Sequence, residues 1–259
     1  MTDGLAAAMH ENYTVGLRRV SALGGNLAAS ARVGPWQLVD AGLGEGSFNI
    51  GVLVEPSSDP DGDLALAEGW FASRGLWFVR LDLRSDADAD MLAAASRAGF
   101  VEWWRQPAML LHPLPSGWPG VPLIEVRDVR TREQVEAYVA LDEDEKDRDF
   151  QARMVRAASQ LDGFRLLLGL EKGEPVARSM AVVTGDMVGI YNVFVPPGLR
   201  NRGYGAAITV AAIEAGRQLG ATAACLESTD LGLPVYRRLG FTKVYEYITM
   251  QRPGAPAPP

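Results

Sequence analysis

The residues with the most chemistry to offer lie between Val195 and Ala207, in V-P-P-G-L-R-N-R-G-Y-G-A-A. Arg200 and Arg202 bring positive charge, and Gly203 and Gly205 let backbone N–H groups approach a ligand without a Cβ in the way. A small-residue helix, A-A-I-T-V-A-A-I-E-A, follows at once and turns its N-terminus toward the same point. Unpaired amides, a positive helix end and two guanidinium groups converge there, which makes an anion site suited to a pyrophosphate.

The elements that must position this loop are legible on both sides. G-I-Y-N-V-F-V, Gly189 to Val195, is β-branched and aromatic and reads as a strand. Pro196 and Pro197 donate no ladder hydrogen bonds, so the strand should end before them. Residues 222–227, T-A-A-C-L-E, read as the next strand, and Leu231 to Phe241, L-G-L-P-V-Y-R-R-L-G-F, as a helix closed by Gly-Phe.

Arg200 to Gly205 spells R-x-x-G-x-G, which resembles the acyl-CoA pyrophosphate loop of the GNAT superfamily of N-acetyltransferases. The Y-x-x-x-G-F of Tyr236 to Phe241 extends the resemblance over roughly residues 120–250. The loop taken alone also opens a dinucleotide (Rossmann) site, with Glu227 near the ribose carboxylate's spacing. Against that reading, Ile208 replaces the third glycine, prolines and arginines separate strand from glycines, and Tyr236 is left without a role.

The resemblance implies acetyl-CoA as cofactor and direct attack of an amine on its thioester. It implies that the backbones of Val193, Phe194 and Val195 bind the pantetheine arm. The amides of Asn201, Arg202, Gly203, Tyr204, Gly205 and Ala206 then take the pyrophosphate, with Arg200 beside them. Thr229 stands seven residues before Tyr236, where many members have an Asn that contacts the cofactor. Tyr236 is the implied acid for the leaving thiolate. Glu227 is the candidate base, its rival reading being a carboxylate turned to solvent or to an arginine. Tyr191 and Asn192 offer a water relay instead. Arg237 and Arg238 are read as a solvated helix face, with the 3′-phosphate as their other use.

A second feature is an internal repeat. R-A-G-F at 97–100 echoes R-L-G-F at 238–241, an offset of 141 residues from Gly99 to Gly240. At that offset each half reads strand, loop, helix, strand, helix, Gly-Phe, strand. The chemistry is not repeated: Asp59 stands for Arg200, Leu64 for Gly205 and Ala95 for Tyr236, and only Gly62 matches Gly203. Carboxylates in E-P-S-S-D-P-D-G-D would repel a pyrophosphate. The expectation is an α/β protein of two tandem GNAT-like lobes, each a mixed, mostly antiparallel sheet flanked by helices. Residues 1–115 form a degenerate lobe, 121–252 the catalytic lobe and 253–259 a disordered tail. The Pro- and Gly-rich stretch 112–122 divides the lobes.

Composition narrows the classes. The 259 residues are 47% hydrophobic with a formal charge of −7, which disfavours nucleic acid as a partner. One cysteine and two histidines, with no ligand-spaced set, predict no disulfide and no metal. Cys225 reads as core packing. No apolar run is long enough to span a membrane, and the start lacks a signal-peptide pattern, so a cytoplasmic protein is expected. The acidic run 142–149, D-E-D-E-K-D-R-D, points to a cationic small-amine acceptor, with a solvated helix end as its other reading. Trp103 and Trp104 alternate on a strand, so at most one faces a cleft. A non-catalytic acyl-CoA-binding or scaffold protein is the alternative function, and Tyr236 is the residue it would have no reason to keep.

Overall fold

The structure is a computed structural model, and it describes residues 2–21, 28–42, 49–76, 79–141 and 148–253. The chain forms two compact units. The larger comprises Met1–Tyr13 with Met109–Lys243, and the smaller comprises Thr14–Ala108 with Val244–Pro259.

In the larger unit the sheet runs β10-β9-β8-β7-β6. These strands are β6 (Glu125–Asp128), β7 (Phe164–Glu171), β8 (Glu174–Thr184), β9 (Met187–Phe194) and β10 (Ala223–Glu227). β9 and β10 pair parallel, and the other neighbours pair antiparallel. Helices α4 (Arg132–Ala140) and α5 (Arg148–Ala158) precede the β7–β8 hairpin. Thr131 starts α4 with a reciprocal capping box: its hydroxyl accepts from the Gln134 N–H, and the Gln134 side chain accepts from the Thr131 N–H.

Helix α6 (Tyr204–Gln218) follows the glycine loop, and α7 (Leu233–Arg238) follows β10. The small side chains of α6 have a packing reason. Ala207, Ala212, Ala215 and Gly216 are buried, and a Cβ on Gly216 would lie 2.5 Å from Val188 on β9. Helix and strand therefore approach closely, with Ile208 and Ile213 filling the core between them.

In the smaller unit the sheet runs β1-β2-β3-β4-β11. Its strands are β1 (Ala29–Val33), β2 (Trp36–Asp40), β3 (Ile50–Leu53), β4 (Arg80–Arg84) and β11 (Thr242–Gln251). β3 and β4 pair parallel, and the rest pair antiparallel. α2 (Pro60–Ser73) and α3 (Ala89–Arg97) cover one face around Trp36, Leu38, Phe71 and Leu81. Each unit is thus a mixed sheet flanked by helices, as expected.

The repeat is carried by the backbone. Gly99 and Gly240 are both left-handed (φ 88° and 96°), and each lets the following Phe N–H reach back to a helix carbonyl. Phe100 donates to Ala95 at 2.9 Å and Phe241 to Tyr236 at 3.0 Å. Ala95 therefore occupies the Tyr236 position with no hydroxyl. At the start of α2, the Asp59 carboxylate accepts from the Gly62 N–H at 3.2 Å and closes the helix end with negative charge.

The contiguous boundaries expected from sequence differ from the units observed. β11 was placed with residues 121–252, but it pairs with β4, Ile248 opposite Leu83 and Gln251 opposite Arg80. β5 (Val101–Leu111) contributes Met109–Leu111 to the larger unit, and α1 (Thr2–Ser21) is divided after Tyr13. A strand's sequence specifies which face is buried but not which neighbour it takes. Residues 254–259 of the expected tail lie outside the described residues.

Candidate functional site

The site starts from a strand pair that stops early. β9 and β10 are in register for three pairs, Met187–Ala223, Val188–Ala224 and Gly189–Cys225. Beyond Gly189 the ladder ends, while β9 stays paired with β8. There Tyr191 lies opposite Met180 and Phe194 opposite Arg178, so three steps on β9 match two on β8. This is a bulge, and it bends β9. Asn192 carries it at φ 51°, a conformation Asn tolerates better than most residues.

Three side chains hold the bulge. Asn192 Nδ2 donates to the Tyr138 hydroxyl at 3.2 Å. The buried Arg178 donates from Nη1 to the Tyr138 carbonyl at 2.9 Å. Its guanidinium lies 5.2 Å from the Tyr138 ring centroid and 5.0 Å from that of Phe194. In the sequence Tyr138 reads only as part of an apolar helix face and Arg178 as one residue of a hairpin strand, so neither signals this role.

A cavity of about 360 Å³ opens at this place. Val193, Phe194 and Val195 form one wall. The loop forms the next, with Arg200, Asn201, Gly203, Tyr204, Gly205 and Ala206, and Thr229 and Tyr236 close it from the other side. Asn201 (φ 62°) and Gly203 (φ 83°) turn the chain from a 3₁₀ turn at Pro197–Leu199 into α6. Gly203 is the N-cap and gives no side-chain hydrogen bond, so the first turn of α6 receives no side-chain cap. A Cβ on Gly205 would meet only Val195 Cγ2 at 3.9 Å. The glycine therefore keeps cavity space clear rather than relieving a clash within the fold. These features fit an anionic ligand that approaches the backbone closely.

The two arginines part company. Arg200 lines the cavity, its Nε donating to the Val195 carbonyl at 3.2 Å. That carbonyl thus accepts one hydrogen bond from the protein and keeps a second lone pair. Arg202 does not line the cavity and lies beside the Tyr204 hydroxyl, which donates to Glu171 at 2.6 Å. The Tyr204 side chain is buried, so its share in the site is its backbone.

Thr229 also serves its own helix. Its hydroxyl accepts from the Gly232 N–H at 3.2 Å, and its carbonyl accepts from Leu233 N–H at 3.0 Å, which starts α7. The Tyr236 ring packs over Gly232, and its hydroxyl has no hydrogen-bond partner among the described residues. Burial, assisted by the Glu227 charge, pushes the Tyr236 phenol up to about 12. Glu227 does not line the cavity; it stands near enough to act on Tyr236 by charge alone.

Five lining residues lay outside the expected set: Leu199, Leu231, Gly232, Val235 and Arg238. Arg238 was read with Arg237 as a solvated face, yet only Arg238 reaches the cavity. The proposed relay residues are otherwise engaged. Tyr191 donates to the buried Asn12 at 2.6 Å, and Asn192 serves Tyr138. Cys225 is fully buried and burial pushes its thiol well up, consistent with packing. Trp103 and Trp104 stack edge to face at 6.3 Å, both partly buried. Residues 142–147 of the acidic run lie outside the described residues. Among the described residues there is no group of three His, Cys, Asp or Glu side chains placed to hold a metal. None of their helices is long and apolar enough to cross a membrane.

Comparison with known proteins gives this arrangement its relatives. Residues 125–241 match the family model described as acetyltransferase (GNAT) family. A GCN5-related N-acetyltransferase from Kribbella flavida superposes with a TM-score of 0.74 at 21% identity, over 96% of each chain. A tandem GNAT protein from the clavulanic acid biosynthesis pathway gives 0.63 at 14% identity, over 97% of this chain and 96% of its own. A GCN5-related N-acetyltransferase from Sphaerobacter thermophilus gives 0.56 at 18%, over 76% of this chain and 68% of its own. At these identities the likeness is one of fold. No curated protein matches the sequence significantly.

Proposed function

We propose, from a chain whose residues 125–241 match the acetyltransferase (GNAT) family model, that the protein is an acetyl-CoA-dependent N-acetyltransferase acting on the amine of a small or peptide acceptor. The observation that carries the reading is the pairing of two features in one cavity. Gly203 and Gly205 open the first turn of α6 at one end, and at the other lies the Tyr236 hydroxyl, which has no partner among the described residues.

Acetyl-CoA, when bound, supplies a thioester that an amine attacks directly, with the thiolate leaving. The protein's own groups divide the remaining work. The amides of Asn201 and of Gly203 to Ala206 hold the pyrophosphate, and Arg200 adds its charge. The backbones of Val193 and Val195 hold the extended arm, and the Thr229 hydroxyl retains a proton to donate. Tyr236 acts as hydrogen-bond donor to the leaving sulfur. At about 12 its phenol stays protonated throughout the neutral range, so it is a donor and not a base. Full transfer to a thiolate of ordinary acidity, about 8.5, is uphill by roughly 5 kcal/mol. The hydroxyl therefore stabilises the thiolate by a hydrogen bond, and the proton that the amine loses passes through solvent water to the departing sulfur. Burial makes Tyr236 a weaker acid than its sequence position implied. Glu227 lies outside the cavity, and its charge adds to burial in keeping the phenol protonated.

The partner is a small-molecule amine, and the acidic run 142–149 favours a cationic one. The reading is tested by following free thiol release from acetyl-CoA with a panel of amines, from polyamines and aminoglycosides to peptide N-termini. Acceptor-dependent release that Tyr236→Phe slows by about 10²-fold supports the enzyme. Tight acetyl-CoA binding with no release on any acceptor points to the non-catalytic alternative.

A further inference from the structure

The stretch between the two halves of the sequence does more than connect them. Residues 114–122 run along α6 from its C-terminal end to its N-cap. The Leu114 N–H donates to the Thr222 carbonyl at 3.3 Å, just past the helix. The Pro115 carbonyl accepts from Arg217 Nη2 at 2.6 Å, in the last turn. One turn further back, Trp118 Nε1 donates to Glu214 Oε1 at 2.7 Å, and Arg217 holds the same carboxylate. Leu114, Trp118 and Val121 pack on the core that α6 fills. At the far end a Cβ on Gly203 would lie 2.6 Å from Pro122 Cγ and 3.0 Å from Cδ. The Pro122 ring thus backs the N-cap glycine, whose other side faces the cavity. The next residue inward, Ile124, seats on Gly169 of β7.

We propose that this strap is a positioning element of the acyl-CoA site, with Trp118 and Pro122 setting where the first turn of α6 presents its amides. The inference rests on the acyl-CoA reading of the cavity. Its physical basis is that Gly203 has no side chain with which to fix itself. A glycine at φ 83° loses more freedom on ordering than any other residue. The ring packed behind it and the indole anchored on Glu214 restrict that freedom before ligand arrives, which is preorganisation. Trp118 and Pro122 do not line the cavity themselves.

The test compares two acyl donors on the full chain. Acetyl-CoA carries the pyrophosphate, and S-acetylpantetheine lacks it. Affinity for each is measured for the wild type, Trp118→Phe, Pro122→Ala and Glu214→Gln. Trp118→Phe keeps an aromatic ring, smaller than the indole, and loses the N–H, and Pro122→Ala removes the ring that backs Gly203. Each is expected to weaken acetyl-CoA binding by about tenfold, the equivalent of one hydrogen bond or less. S-acetylpantetheine binding and the melting temperature should hold. Glu214→Gln keeps the oxygen that accepts from the indole but loses the charge that Arg217 pairs with, and its acetyl-CoA affinity should stay nearer the wild type than that of Trp118→Phe. Equal affinity of all four proteins for acetyl-CoA would overturn the inference, as would parallel losses for both donors with a falling melting temperature. Failure of the wild type to bind acetyl-CoA would overturn the acyl-CoA reading itself.

Discussion

A Cβ added to Gly232 would lie 2.6 Å from Cε2 of Tyr236. The ring that carries the candidate donor hydroxyl therefore rests on a glycine four residues earlier, at the start of α7. On its other side the ring meets Phe241 edge to face, at a centroid separation of 6.0 Å. Gly232 is required by this contact, because its own backbone is helical (φ −79°, ψ −28°) and any residue adopts that. Gly232→Val should displace the ring and lower kcat by tenfold or more, on the order of what a misplaced donor costs. The α7 backbone should stay helical. Steady-state kinetics beside circular dichroism checks this. Unchanged kcat would mean that the ring position does not matter.

Tyr236→Phe deletes the hydroxyl and keeps the packing on Gly232 and Phe241. The expected outcome is a kcat reduced by about 10²-fold, the lower end for a lost acid–base group. The KM for acetyl-CoA should stay within about twofold. The pH profile of the wild type should show no fall from loss of the Tyr236 proton below about pH 11, since burial pushes that group to about 12. A limb near pH 9 that vanishes in Tyr236→Phe would contradict the assignment.

Gly205 separates binding from folding. Its missing Cβ borders open cavity and touches nothing closer than 3.9 Å. Gly205→Ala should therefore leave the fold intact or stabilise it, by about 0.5–1 kcal/mol for Gly to Ala within a helix. The same change should weaken acetyl-CoA binding at least tenfold by filling the space beside the amides. Thermal melts and calorimetry on one preparation decide it. A melting temperature that falls together with affinity would mean that Gly205 serves the fold.

Arg237 and Arg238 are adjacent and both exposed, but only Arg238 lines the cavity. Arg238→Ala should raise the acetyl-CoA Kd by about threefold to tenfold, more at low salt than at high salt. Arg237→Ala should change it by less than twofold. Equal effects of the two changes would remove Arg238 from the site.

Asp88 gives a pH-dependent prediction in the smaller unit. It is buried at the start of α3, and desolvation raises its carboxyl to about 6 from an ordinary 3.8, although the Arg84 N–H donates to it at 2.6 Å. A raised folded-state value means that the folded protein holds the proton more tightly. The stability it contributes is full below about pH 4 and is lost as pH rises through about 6. Asp88→Asn keeps an acceptor for the Arg84 N–H and cannot ionise. It should melt with the wild type near pH 4 and above it at pH 7. A variant that melts lower at pH 7 would show that the charge is stabilising.

Much of the site is written locally. The loop was legible because proline, glycine and arginine act within a few residues of where they stand. Pro196 and Pro197 follow the strand end at Phe194, and Gly203 takes the positive φ that a turn into α6 requires. Gly232 was not legible, since its requirement is the Tyr236 ring and not its own conformation. Arg238 could not be told from Arg237, because the helix phase that turns one to the cavity is fixed by how Tyr236 and Leu239 bury. Arg178 reads as one more residue of a hairpin strand until Tyr138 and Phe194 are seen on either side of it. The partner of β11 was not legible either. T-K-V-Y-E-Y-I-T-M-Q states an alternating strand, and its pairing with β4 is settled only by assembly of the sheet. The repeat, by contrast, was visible because two Gly-Phe pairs close two helices by the same backbone bond.

The measurement that bears most directly on the account is calorimetry of acetyl-CoA on the wild type and on Arg200→Glu/Gly203→Val. The account predicts one site per chain, because Asp59 closes the start of α2 with a carboxylate where α6 is left open. It also predicts that the double substitution abolishes that binding. Two sites per chain would contradict the reading of the first half, and no binding to the wild type would contradict the acetyltransferase reading altogether.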